Sequence, residues 1–240
     1  MENTVWLERT ELLLGNERVE KLKNSHVLVV GLGGVGAYVA EQLCRAGIGQ
    51  LTIVDGDVIT ESNRNRQLPA LQSTTGMRKA ETMAKRLLDI NKDLKLNVID
   101  EYLRDDRMIE VIKLGYDYIV DAIDTLSPKV FLIYHSIKNK QRIVSSMGAG
   151  AKVDPSQIQV TDISKSYNCK LARILRKKLH RLGIRDGVKV VFSPETTFED
   201  AFVLVENEQN KKTTVGTISY MPPLFGCFCA SVVIRDIVNV

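Results

Sequence analysis

Residues 27–36 read Val27-Leu28-Val29-Val30-Gly31-Leu32-Gly33-Gly34-Val35-Gly36, and this stretch decides the fold. Its first four residues are a short apolar run, the mark of a buried strand. The remainder contains G-x-G-x-x-G, and a helix is predicted directly after it, over Ala37–Ala46. Glycines let the backbone come close to a phosphate, and the helix N-terminus offers free N–H donors at the positive end of its dipole. A second strand, Leu51–Val54, ends at Asp55, 24 residues after Gly31. An acid at that place binds the hydroxyls of a ribose. Together the two signals point to an adenine-nucleotide site. A tight strand–helix turn with no ligand is the alternative.

Working outward, strands and helices alternate. Ala80, Met83, Ala84, Leu87 and Leu88 repeat at helical spacing and predict a helix over Gly76–Asn91. Leu96–Ile99 is the next strand, then a helix Asp105–Leu114, a strand Tyr118–Ala122, a helix Pro128–Asn139 and a strand Arg142–Ser146. This rhythm implies an α/β fold with a doubly wound, mostly parallel Rossmann-like sheet and flanking helices. Before it, Leu12, Leu13, Val19 and Leu22 suggest a helical lead-in. After Gly150 the rhythm changes. Ile158–Ile163, Val188–Phe192 and Ala201–Val205 read as further strands, Met221-Pro222-Pro223 as a breaker, and Phe225–Val238 as a last helix. Residues 151–240 are expected to continue the nucleotide-binding part, 1–150, within a single domain of residues 1–240.

Composition fits a packed domain. Of 240 residues 44% are apolar and 26% charged, which argues against wholesale disorder. The net charge of +4 permits an anionic partner without requiring one. Of the cysteines, Cys44, Cys169, Cys227 and Cys229, only the last two are close, and they form C-x-C. A structural zinc site usually takes two close pairs, so none is expected. Cys227 and Cys229 read as buried structural thiols, with a sulfur-relay role as the alternative, and Cys169 as a tolerated surface residue. His26, His135 and His180 are scattered and read as structural or surface residues. The opening residues lack a secretory pattern, and the run Leu224–Ile234 is short of the about 20 residues that span a bilayer. The expectation is a cytoplasmic protein; peripheral membrane association is not predicted.

The chemistry lies past the ribose acid. Ser62-Asn63-Arg64-Asn65-Arg66-Gln67 is a polar, doubly cationic loop, Lys79 opens the next helix, and Asp124 closes Asp121-Ala122-Ile123-Asp124. Cations around one nucleotide neutralise charge on a triphosphate, and a carboxylate can hold Mg²⁺. A dehydrogenase needs neither. A solvated surface face is the alternative for each cation taken singly. A basic arm follows at about 163–185, with eight Lys/Arg and no acid. Leu171, Ile174, Leu175, Leu179 and Leu182 would dock it, leaving Lys170, Arg173, Arg176, Lys177, Lys178 and Arg181 to meet nucleic-acid phosphates. A membrane surface is the competing partner, disfavoured by the lack of bulky aromatics in this helix.

In combination these pieces resemble the adenylating superfamily of ubiquitin-activating enzymes and the bacterial proteins ThiF and MoeB. The matching residues are Gly31–Gly36, Asp55-Gly56-Asp57, Asn63 with Arg66-Gln67, Lys79 and Asp121–Asp124, with looser likeness at Arg9–Gly15 and Gly216–Gly226. Within it, Ala149–Ile163, Leu171–Leu179 and Val191-Phe192-Ser193 are similar to the tRNA threonylcarbamoyladenosine dehydratase branch. The resemblance implies an ATP-dependent enzyme that adenylates the threonylcarbamoyl carboxylate of a tRNA adenosine and cyclises it, releasing AMP and pyrophosphate. It implies ribose binding by Asp55 and phosphate contacts from Gly31, Gly33, Gly34, Asn63, Arg66 and Lys79. Asp57 and Gln67 also fall in the ATP-binding set, and Asp124 holds Mg²⁺. Arg9 would reach the ATP of a partner subunit, making the homodimer the catalytic unit. The nucleic acid is tRNA and not DNA; a cysteine-desulfurase relay partner is a further candidate. The alternative activity is adenylation of the C-terminus of a ubiquitin-like sulfur carrier, as in MoeB and ThiF; the missing zinc cysteines count against it.

Overall fold

The computed structural model describes residues 5–204 and 213–240. Two short helices, α1 (Glu8–Leu14) and α2 (Asn16–Lys23), precede β1 (His26–Val30), α3 (Gly36–Arg45) and β2 (Gln50–Val54). Then come α4 (Lys79–Ile90), β3 (Lys95–Ile99), α5 (Asp105–Lys113), β4 (Tyr118–Asp121), α6 (Leu126–Lys138) and β5 (Ile143–Ser146). The last part holds β6 (Gln159–Asp162), α7 (Lys170–Arg181), β7 (Lys189–Phe192), a hairpin of β8 (Phe202–Leu204) and β9 (Thr213–Val215), and α8 (Met221–Val238). Of the predicted strand Ala201–Val205, Val205 lies outside the described residues.

Seven strands form one sheet in the order β3-β2-β1-β4-β5-β7-β6, parallel except for β6, which pairs antiparallel to β7. The C-terminal strands therefore extend the sheet laid down by the first five. Both faces are covered, as a parallel sheet requires. Side chains alternate along β1, so Val27 and Val29 enter the core under α2, α3, α4 and α8, and Leu28 and Val30 the core under α5, α6 and α7. Strand order reverses between β1 and β4. The crevice outside their carboxyl ends is where such sheets take a ligand.

Four sequence expectations need correction. Leu12 and Leu13 share no buried face with Val19 and Leu22; each is 81% exposed, because the chain breaks at Gly15, whose φ is +82°. The helix expected from Gly76 starts at Lys79, after Gly76 turns at a φ of +88°. Pro222 and Pro223 do not stop a helix but begin α8, where the first turn has no hydrogen bond for a missing N–H to lose. Cys169 is buried at the start of α7, not on the surface. α8 is long and apolar enough to cross a membrane by length and composition, and 56% of it is buried within the protein.

Candidate active site

The glycine loop is shaped by contacts that exclude side chains. Gly31 leaves β1 at a φ of +92°, and a Cβ there would lie 2.8 Å from the Ala122 carbonyl oxygen. A Cβ on Gly36 would lie 1.7 Å from the Gly31 carbonyl oxygen, so α3 can start only where it does. Gly34 has a second reason to be glycine: a Cβ would reach Pro222 of α8 at 2.9 Å. Gly33 is different. The nearest atom to a Cβ there is Gln67 Nε2 at 3.8 Å, so this part of the loop is open. The Gln67 Oε1 is buried with no hydrogen-bond partner among the described residues. A buried unpaired acceptor of this kind calls for a donor from water or from a bound molecule.

Asp55 follows β2. Its Oδ2 accepts from Leu32 N–H at 2.6 Å and its Oδ1 from Asp57 N–H at 2.8 Å. Each oxygen keeps a lone pair, enough for two ribose hydroxyls. Burial pushes its carboxyl above the usual range, opposed by the Lys79 ammonium and the two amides. Lys79 is buried, and its Nζ donates to Asp57 Oδ2 at 2.7 Å. Asp57 also accepts from Tyr102 Oη and so holds the ammonium in place. A surface lysine face is thereby excluded.

In the cationic loop Asn63 is buried, and its Oδ1 accepts from Thr60 N–H at 3.1 Å. Arg66 Nη1 donates to Ser62 O at 2.9 Å and to Asn65 Oδ1 at 2.7 Å. Burial lowers the Arg66 pKa, and the Asp124 carboxylate opposes this, so acid and guanidinium share one neighbourhood. Arg64 is exposed beside Glu61. Asn65 Nδ2 donates to Thr217 O at 2.9 Å, tying the loop to the segment after β9. The structure thus gathers Asp55, Asp57 and Lys79 in one cluster, and Arg66, Gln67 and Asp124 around the glycine loop. Arg9 stands exposed on α1 and belongs to neither group. Asp124 is a single carboxylate, and among the described residues no three His, Cys, Asp or Glu side chains group as a metal cage. That donor set fits Mg²⁺, which keeps most of its shell as water and phosphate oxygen.

Sequence reasoning missed two buried lysines. Lys129 pairs with Asp121 at 2.8 Å, and neither side chain is exposed. The signal was a lysine on the buried face of α6, in line with Leu132, Ile133 and Ser136. Lys152 Nζ donates to Glu195 O at 2.8 Å, and the Glu195 carboxylate accepts from Val153 and Asp154 N–H. This clamps the loop after β5 to the exit of β7. On α7, Lys170, Arg173, Lys177, Lys178 and Arg181 are exposed, over buried Ala172, Leu175 and Leu179. Arg176 departs from the expected cationic face. Its Nη1 turns inward to Ser166 O at 2.6 Å and Ile163 O at 3.2 Å, satisfying carbonyls of the preceding turn.

Comparison with known proteins gives concordant results. The ThiF family model matches residues 7–240. A tRNA threonylcarbamoyladenosine dehydratase from Bacillus subtilis is 37% identical over 96% of this chain and 94% of its own length. The protein of that name from Escherichia coli is 40% identical over 79% of this chain and 75% of its own. A crystal structure of the E. coli dehydratase in complex with ATP aligns with a TM-score of 0.89 and 34% identity, covering 98% of this chain and 96% of that one.

Proposed function

Because this chain belongs to the ThiF family, which matches it over residues 7–240, we propose that it is an ATP-dependent dehydratase acting on threonylcarbamoyladenosine in tRNA. It joins the threonylcarbamoyl carboxylate to the α-phosphorus of ATP, releasing pyrophosphate. The neighbouring carbamoyl group then attacks the activated carbonyl. AMP leaves with the carboxylate oxygen, so the ring closes with net loss of water. The observation that carries this reading is the end-to-end likeness to a dehydratase of that name, 37% identical over 96% of the chain.

Each residue has a task its position suits. Asp55, fixed by two backbone amides, receives the ribose. The open backbone at Gly33 and the Gln67 Nε2 beside it receive phosphate oxygens, with Gly31 and Gly34 shaping the loop and Asn63 bracing the cationic turn through Thr60 N–H. Arg66 and Lys79 neutralise charge that builds on the phosphates as pyrophosphate departs. Asp57 is a partner of Lys79 and aims it, so its part in ATP binding is indirect. Asp124 would hold Mg²⁺, which supplies Lewis-acid neutralisation of the phosphates. The exposed cations of α7 meet the tRNA backbone, and a cytoplasmic location accords with that substrate.

Two further points belong to the same reading. Arg9 acts on the partner's nucleotide in a homodimer; support comes from Val5, Trp6, Leu12 and Leu13, apolar side chains left exposed on the segment that carries it. Cys227 and Cys229 serve packing and not a sulfur relay. Burial pushes both thiols up, away from the thiolate that relay chemistry uses. The test is AMP and pyrophosphate release with tRNA that carries or lacks the threonylcarbamoyl group. Release only with the modified tRNA supports the reading; equal release with both overturns it.

A further inference from the structure

Behind the crevice, the end of β4 is held by a buried charge pair that no step above uses. Asp121 and Lys129 are both fully buried, with Lys129 Nζ 2.8 Å from Asp121 Oδ2. Their remaining bonds converge on one residue, gripping the two peptide units on either side of its Cα. Asp121 Oδ1 accepts from Ile123 N–H at 3.1 Å, and Lys129 Nζ donates to Ile123 C=O at 2.9 Å. Ser145 Oγ on β5 donates to Asp121 Oδ2 at 2.6 Å and sets the carboxylate's rotation. Ile123 is therefore gripped at both its N–H and its C=O.

The gripped residue has two functional neighbours. Asp124 is the next residue in the chain. Ala122, the one before, bonds through its N–H to Val30 O at 2.9 Å, and its carbonyl is the surface on which Gly31 rests. One charge pair thus fixes both the carboxylate wall of the crevice and the floor of the glycine loop. A buried pair kept for stability alone is commonly replaceable by apolar residues of similar volume. This one directs both its charges at Ile123, the residue between the glycine-loop floor and Asp124.

We infer that Lys129 and Asp121 are positioning residues for adenylation, holding Asp124 and the Gly31 turn in register through the backbone on either side of Ile123. The inference rests on the reading of Asp124 given above. Its test compares Lys129→Met with a neutral pair, Asp121→Asn with Lys129→Met, in which no buried charge is stranded. Three quantities are measured: the melting temperature, calorimetric affinity for AMP without metal and for ATP with and without Mg²⁺, and the kcat of ATP–pyrophosphate exchange. The neutral pair is expected to melt near the parent and bind AMP as the parent does. It is also expected to lose most of the affinity that Mg²⁺ adds to ATP, and about a hundredfold in kcat, the cost of an ångström-scale misplacement. Parent-like kcat and parent-like Mg²⁺ gain in the neutral pair would show that the charges serve the fold alone. Asp124→Ala, run alongside, separates the premises. If it too keeps the parent's Mg²⁺ gain, the reading of Asp124 fails and the inference with it. If only Asp124→Ala is defective, the positioning role alone is overturned.

Discussion

Lys79→Met separates chemistry from architecture most cleanly. Lys79 is buried at 5% exposure, and its partner's side chain, that of Asp57, is 43% exposed. Methionine keeps the buried stem and removes the ammonium. Asp57 is then relieved of its cation but stays hydrated and still accepts from Tyr102 Oη. Asp55 loses the cation that opposes its burial but keeps its two backbone amides, so stability should fall by about 1 kcal/mol, or about 2–4 °C in Tm for a chain of this size. The catalytic cost is of another order. Removing one group preorganised toward developing transition-state charge costs about 10²–10³ in kcat, or about 2.7–4 kcal/mol. ATP–pyrophosphate exchange gives the rate and a thermal melt the stability, on the same preparation. Exchange within about threefold of the parent, far below that cost, would refute the phosphate role. A fall in Tm well beyond a few degrees would show that the Lys79–Asp57 pair is architecture instead.

Three more expectations follow from named contacts. Gly36→Ala forces a Cβ to within 1.7 Å of a backbone oxygen and should cost about 3 kcal/mol or more, seen as a lower urea midpoint; an unchanged midpoint would contradict the packing of α3 on the glycine turn. Reversing charge at Lys177 and Lys178 should raise the KM for tRNA and reduce the slope of log KM against log salt by about two, whereas Arg176→Glu, striking an inward-facing group, should lower Tm; equal effects at all three would mean that α7 presents no distinct RNA face. Burial pushes the Glu41 carboxyl up, but Arg86 and Arg45 outweigh it and leave its pKa below the ordinary value. A depressed folded pKa adds stability above the unfolded pKa that is lost as pH falls through the folded one. Glu41→Gln should therefore lower stability near pH 7 by about 1–2 kcal/mol, with the difference from the parent closing below about pH 4; a pH-independent difference would point to lost packing instead.

Where local pattern and long-range packing agree, the residues alone were readable. β1 and α3 are bounded by a glycine turn that the spacing announces, and the acid after β2 lies against that turn, accepting from Leu32 N–H. Reading failed where a residue's fate depends on a distant element. Leu12 and Leu13 look like a core stripe until Gly15 turns the chain. Pro222 looks like a stop until its place at the first turn of α8, against Gly34, is known. Arg176 counts as one more surface cation until the carbonyls of Ile163 and Ser166 claim it. Lys129 went unnoticed because a lysine in an apolar helix makes sense only with its partner, on a strand eight residues earlier. The chemistry-bearing loops were legible as types of residue; which side chain aims which was not.

The central claim is that the activated carboxylate belongs to a tRNA nucleoside. Nucleoside mass spectrometry on threonylcarbamoyl-modified tRNA incubated with the protein, ATP and Mg²⁺ tests it directly. The account predicts that the modified adenosine loses the mass of one water, in step with AMP formation, and that Asp124→Ala leaves it unchanged. A nucleoside of unaltered mass, alongside adenylation of the C-terminus of a ubiquitin-like carrier by the same preparation, would contradict it.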